Sequence, residues 1–264
     1  MAVTDDRPAL DGGQPPEELG TMTLFEHLAE LRTRLIISFA ALAVTTTVCW
    51  FFYNDAITFM RDPYIAFCHH HPTKSLTGTV TGCKLVTSGP LEGFTTRLRV
   101  CAYGGIALAT PVLFWELWRF VTPGLKDNEK RYIVPFVSAA VVLFAMGVTT
   151  AIFVFPKALQ WLIDVGGAGV VPLFNPSKYF TLYVVMCLVF GAVFMYPVVV
   201  VGLELTGVVP STRWRRWRRP AIVVIAGVAA VITPSSDPFS FLALAVPMYI
   251  FYEASIILGR ILHK

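Results

Sequence analysis

Apolar runs long enough to cross a bilayer recur along most of this chain, and that feature leaves few folds open to it. A hydrocarbon core ~30 Å thick takes about 20 helical residues, and within it every backbone polar group must be satisfied inside the protein. Such runs fall at about Leu35–Tyr53, Leu98–Val121, Tyr132–Phe155, Tyr179–Val208 and Phe239–Leu258. A further run, Pro220–Thr233, is only about 14 residues, or ~21 Å at 1.5 Å per residue. It calls for a locally thinned bilayer or burial against neighbouring helices. The expected fold is an all-α polytopic membrane protein with six transmembrane helices. Composition agrees: 14% of the 264 residues are charged and mean hydropathy is +0.65. A soluble domain carries roughly a quarter charged residues, and the deficit here runs the whole length, so one anchor on a soluble enzyme is excluded.

The net charge of +4 does not mark a nucleic-acid surface, because Lys and Arg sit beside the apolar runs. Placing the N-terminus, the Lys126–Arg131 turn, the Arg213–Arg219 cluster and the C-terminus on one side gathers about 14 of the 21 Lys and Arg there. That side is expected to be cytoplasmic, with both ends inside, and Trp115, Trp118, Trp214 and Trp217 lie near the same boundary. Residues 1–22 are polar, rich in Pro, Gly and acids, and lack an apolar core, so they are expected to be a disordered tail and not a cleaved signal. Residues 23–260 form the membrane domain, and 261–264 a short cytoplasmic end. Residues 54–96 are expected as a long polar loop outside. That loop holds Cys68, the His69-His70-His71 run and Cys83. A Cys68–Cys83 disulfide would close about 16 residues and contribute ~3 kcal/mol on the chain-entropy model. A metal site and free thiols are the other readings; adjacent His side chains do not converge on one ion, and the outside compartment favours oxidation. Cys49, Cys101 and Cys187 lie in apolar runs and read as small buried hydrophobes.

Before the first span, Thr23 and Glu26 have capping-box spacing, and Leu24, Leu28, Leu31 and Leu35 share one helical face. A short interfacial helix is expected here, its polar face of Glu26, His27, Glu30 and Arg34 turned to the cytoplasm. Spacing alone makes Glu30 and Arg34 an ordinary i,i+4 pair, and Glu129 a solvated turn acid beside Lys130 and Arg131. If Glu30 and Glu129 met in space, they would suit a ligand bearing guanidinium groups, which carboxylates accept bidentately. Glu116 and Glu92 lie near span ends, where Arg119 and Arg97 are the nearby partners that would relieve the cost of burial. No convergent catalytic set falls inside the spans and no phosphate-binding GxxxxGK[ST] loop occurs, so neither an enzyme nor a cofactor is expected. A secondary transporter for a small solute is the alternative, but internal repeats and midplane charges are missing.

Several motifs are specific. His27-Leu28-Ala29-Glu30-Leu31-Arg32-Thr33-Arg34-Leu35 resembles the HLxELRxRL signature of the TatC family, the receptor subunit of the twin-arginine protein translocase. Leu117-Trp118-Arg119-Phe120-Val121-Thr122-Pro123-Gly124-Leu125 with Glu129-Lys130-Arg131 is similar to that family's LWxFxxPGL…ERR turn. Phe190-Gly191-Ala192-Val193-Phe194 with Pro197 resembles its FGxxFExP segment. Thr233-Pro234-Ser235-Ser236-Asp237 and Ala245-Val246-Pro247-Met248-Tyr249 are similar to its last hairpin. The resemblance implies a concave, glove-like six-helix bundle in the bacterial cytoplasmic membrane that binds twin-arginine signal peptides. It implies Glu30 and Glu129 as the carboxylates that receive the two arginines, with Arg32, Phe120 and Pro123 shaping the surface. Pro63 and Asp237 match positions the family uses in its outside loops. The partners implied are TatA/TatB-type single-span subunits and further copies of the chain in a larger complex, and the driving force implied is the proton-motive force. One departure is Met195, followed by Tyr196, where the family carries an acid or amide that receives a TatA-type subunit. Glu204, nine residues on, falls on the opposite helical face and ~13 Å away along the axis, so it does not replace that group.

A membrane-impermeant maleimide applied from outside is expected to label neither Cys68 nor Cys83 until a reductant is added. Labelling of both before reduction would remove the disulfide.

Overall fold

The structure, a computed structural model, describes residues 24–70, 85, 89–121, 133–166, 175–205, 217–233 and 237–262. Among these the regular structure is helical: α1 (Leu24–Phe51), α2 (Tyr53–His70), α3 (Glu92–Val121), α4 (Ile133–Val165), α5 (Pro176–Phe194), α6 (Tyr196–Leu205), α7 (Arg218–Ile232) and α8 (Pro238–Leu262). Among the described residues five segments are long and apolar enough to cross a membrane: Leu28–Phe51, Glu92–Phe120, Val134–Val165, Pro176–Gly202 and Pro238–Ile257. With 15 residues, α7 is the short helix the apolar pattern anticipates.

The fourth of these segments is broken, not continuous, because Pro197 has no N–H to donate one turn back. Met195 closes α5 by donating its N–H toward the carbonyls of Ala192 and Val193, and α6 starts at Tyr196. At the other end of α5, the Asn175 side chain accepts from Lys178 N at 3.2 Å and Pro176 occupies the first turn, where a missing N–H costs nothing.

Lipid is as apolar as leucine, so close backbone approach and polar contacts must hold the helices together. Antiparallel α1 and α3 meet along their length in this way. Thr45 Oγ1 donates to the Gly105 carbonyl at 2.9 Å, and a Cβ on Gly104 would stand 2.8 Å from the Cys49 sulfur. Near the far end, Arg97 of α3 donates to the Trp50 carbonyl at 2.9 Å, close to the α1 C-terminus, with its guanidinium 4.2 Å from the Trp50 ring. The α4–α5 contact is tighter still: a Cβ on Gly147 would lie 2.5 Å from the Phe190 carbonyl oxygen and 2.8 Å from Gly191 Cα. The main core follows α5, gathering Phe155, Tyr179, Tyr183, Met186, Phe190, Leu244 and Tyr252. A salt bridge of 2.7 Å between Arg218 and Glu253 joins α7 to α8.

Three expectations need correction. The interfacial helix and the first span are one 28-residue helix, since neither Gly nor Pro interrupts Leu24–Phe51. Its polar face also turns elsewhere than to the cytoplasm. The Glu30 and Arg34 face turns inward onto α3, while Leu28, Leu31 and Leu35 are exposed, because a membrane-embedded helix gives its apolar face to lipid. The expected outside loop begins not as loop but as α2, which contains Pro63. Its Met60 and Tyr64 are buried with Ala56 and Ile57 packed alongside, a helical stripe hidden within a polar composition. The Tyr179 hydroxyl fastens it by donating to the Met60 carbonyl at 2.9 Å. The expected tail, residues 1–22, the capping Thr23 and residues 263–264 lie outside the described residues.

Gly147→Ala is expected to cost about 1–3 kcal/mol through overpacking, read as a lower Tm in detergent. Gly227→Ala, where nothing stands within 4 Å of the new Cβ, is expected to leave Tm unchanged or raise it slightly.

Candidate functional site

Antiparallel packing brings the first half of α1 beside the last turns of α3. Glu30 and Arg34 stand one turn apart on α1, and Glu116 faces them from α3. Arg34 Nη2 donates to Glu30 Oε1 at 3.2 Å and Nη1 donates to Glu116 Oε2 at 3.1 Å. The side chains of Arg34 and Glu30 are each 19% exposed and that of Glu116 is 8% exposed. A single guanidinium thus serves two carboxylates in a largely desolvated place, where removing one partner of a pair is costly. The arrangement is also incomplete. Glu30 Oε2 and Arg34 Nε are buried atoms without a hydrogen-bond partner.

The i,i+4 pair was legible in the spacing, but the partner of Glu116 was not. Arg119 on the same helix is the near neighbour in sequence, yet it is exposed, and the partner comes from α1 instead. The helix register decides this, and the signal that points to it is the rarity of charge in the spans: Arg34 and Glu116 lie at matching ends of two antiparallel segments. Arg97 likewise turns to the Trp50 carbonyl.

Around the triad, Arg32 is exposed on α1, and Phe120 is half-buried at the end of α3. Trp118 stacks against Phe136 of α4 with ring centres 5.1 Å apart. Glu129 and Pro123 lie outside the described residues, as do Cys83 and His71, and the side chains of Cys68 and Glu204 are likewise outside the description.

The other candidates stand elsewhere. Pro63 is half-buried within α2. Asp237 is 1% exposed and caps α8, accepting from Ser240 N at 2.7 Å. It lines a cavity of about 480 Å³ with Trp161, Ala230, Thr233, Pro238 and Phe241. Met195 is buried in a small cluster with Ala140 and Val198, and Tyr196 beside it is half-buried. Cys49, Cys101 and Cys187 are free thiols, Cys101 alone being fully buried. Among the described residues no group of three His, Cys, Asp or Glu is arranged to hold a metal ion.

The TatC family model, described as Sec-independent protein translocase protein (TatC), matches residues 26–247. The Sec-independent protein translocase protein TatC of Frankia casuarinae is 36% identical over 241 residues, which are 90% of this chain and 65% of that one. The Corynebacterium kroppenstedtii protein of the same name is 34% identical, over 92% of this chain and 62% of its own length. The chain therefore spans less than two thirds of those two relatives. It spans 92% of the Koribacter versatilis TatC, at 34% identity. The crystal structure of the twin-arginine translocase receptor TatC in DDM is similar with a TM-score of 0.72 and 29% identity, over 89% of this chain and 99% of that chain.

Asp237→Ala is expected to lower Tm by removing the α8 cap, at a cost of about 1–2 kcal/mol, whereas Asp237→Asn retains most of the stability. Equal Tm values for both variants would mean that the cap does not hold α8.

Proposed function

This chain belongs to the TatC family of Sec-independent protein translocase proteins, and on that premise we infer that it is the membrane receptor for twin-arginine signal peptides. The family is one of translocase subunits and not of enzymes, and the chain is a multi-pass membrane protein. The observation that carries the receptor reading is the buried Glu30 oxygen without a hydrogen-bond partner, held where α1 and α3 end together.

An ionised carboxylate accepts up to four hydrogen bonds, and the planar guanidinium fork matches it edge to edge. In this reading Glu30 receives one signal arginine and Glu129 the other. Arg32 and Phe120 border the groove, and Pro123 shapes the turn between them. All of these residues lie on the cytoplasmic side, with both chain ends, in a six-span bundle whose concave face cradles the peptide. The short α7 crosses as the fifth span where the bilayer is thinned or covered by α8. This is the arrangement of a bacterial cytoplasmic membrane protein.

TatA/TatB-type single-span subunits, recruited for export of folded cargo on the proton-motive force, dock along the fourth to sixth spans near Met195 and Tyr196. No acid or amide stands at that segment, so apolar packing replaces a polar bond there. The receptor works as several copies within that complex. Pro63 and Asp237 organise the outer ends of the helices.

Binding of a twin-arginine signal peptide to the nanodisc-embedded protein tests the reading. A twin-lysine peptide is expected to bind about tenfold or more weakly, since an ammonium does not reproduce the fork. Glu30→Ala and Glu129→Ala are each expected to weaken the arginine peptide by a similar factor. Equal binding of both peptides, with neither carboxylate mattering, would overturn the receptor assignment.

A further inference from the structure

Glu30, Arg34 and Glu116 hold two negative charges and one positive charge at the meeting of α1 and α3. Among the described residues the network is thus one cation short. It is also one donor short, since the buried Glu30 Oε2 accepts no hydrogen bond. An arriving guanidinium corrects both deficits at once, giving two guanidinium groups and two carboxylates. We propose that Glu116 is a further specificity-determining residue of the receptor: through Arg34 it sets the charge deficit that draws in the signal arginine.

The inference rests on the receptor reading and deepens it. Glu116 need not touch the peptide. Its side chain is 8% exposed and already engaged by Arg34 Nη1 at 3.1 Å. Its part is to neutralise the resident guanidinium, so that Glu30 offers a full negative charge to the newcomer. Without Glu116, Arg34 would cancel Glu30 and leave a neutral pair with no Coulombic claim on a second cation. The three side chains are only partly exposed, so the difference is screened less than between fully exposed charges. Arg34 is then the resident stand-in: its Nη2 occupies one oxygen of the carboxylate whose other oxygen receives the ligand.

Counting charges separates this role from a structural one. Glu116→Gln makes the network neutral and is expected to weaken the twin-arginine peptide about tenfold, with a shallower dependence on salt. Arg34→Gln makes it doubly negative and is expected to strengthen binding severalfold. The double variant Arg34→Gln with Glu116→Gln restores a single negative charge, and its affinity is expected to return to within about threefold of the parent. The readout is peptide affinity in nanodiscs at two salt concentrations, beside Tm for each variant. A structural role for Glu116 predicts instead that the double variant binds no better than Glu116→Gln, and that outcome overturns the proposal. If Glu30→Ala weakens binding while Glu116→Gln does not, the proposal fails and the receptor reading stands. If Glu30→Ala also has no effect, the receptor site itself is wrong.

Discussion

Inside a bilayer, helices gain little by hiding apolar surface from one another, since lipid chains offer the same surroundings. What joins them is close backbone approach at small residues and the few polar contacts that have no alternative partner. This chain relies on both. Gly147 and Gly191 let α4 and α5 touch backbone to backbone, Gly105 does the same for α3 against Thr46 of α1, and Gly104 makes room for the Cys49 side chain. The contacts Thr45–Gly105, Arg97–Trp50 and Arg34–Glu116 then hold antiparallel α1 and α3 in register.

That register gives the candidate site its chemistry. Burial of a lone carboxylate such as Glu116 near a span end is unfavourable, and a shared guanidinium offsets it. The same guanidinium leaves Glu30 half-satisfied, so stabilising one acid keeps the other receptive. Helix α1 has most of its length exposed, and its Arg34 meets Glu116 of α3 at one end.

The long helices were legible because their apolar runs exceed anything a soluble fold requires, and the brevity of α7 could be read from its length alone. The Glu30–Arg34 pair followed from i,i+4 spacing. Other features depend on three-dimensional placement that spacing does not carry. The partner of Glu116 is 82 residues away, chosen by how two helices slide against each other. Helix α2 was hidden because two buried residues, Met60 and Tyr64, with Ala56 and Ile57 partly buried beside them, lie among polar ones and fit a core that no local pattern describes. The polar face of α1 met α3 and not the cytoplasm, because Glu30 and Arg34 find their partner there, while Leu28, Leu31 and Leu35 stay outermost as expected of a membrane-side face. The roles proposed for Glu129 and Pro123 rest on family motifs, not on spacing.

The most direct test of the central claim is photo-crosslinking from this end of the molecule. A benzophenone side chain in place of Phe120 should form an adduct with a twin-arginine signal peptide, and excess unlabelled peptide should compete it away. The same group in place of Phe153, exposed on α4 about 26 Å along the helix from the Phe136 contact with Trp118, should form none. Adducts from Phe153 and none from Phe120 would place the peptide elsewhere and contradict the account.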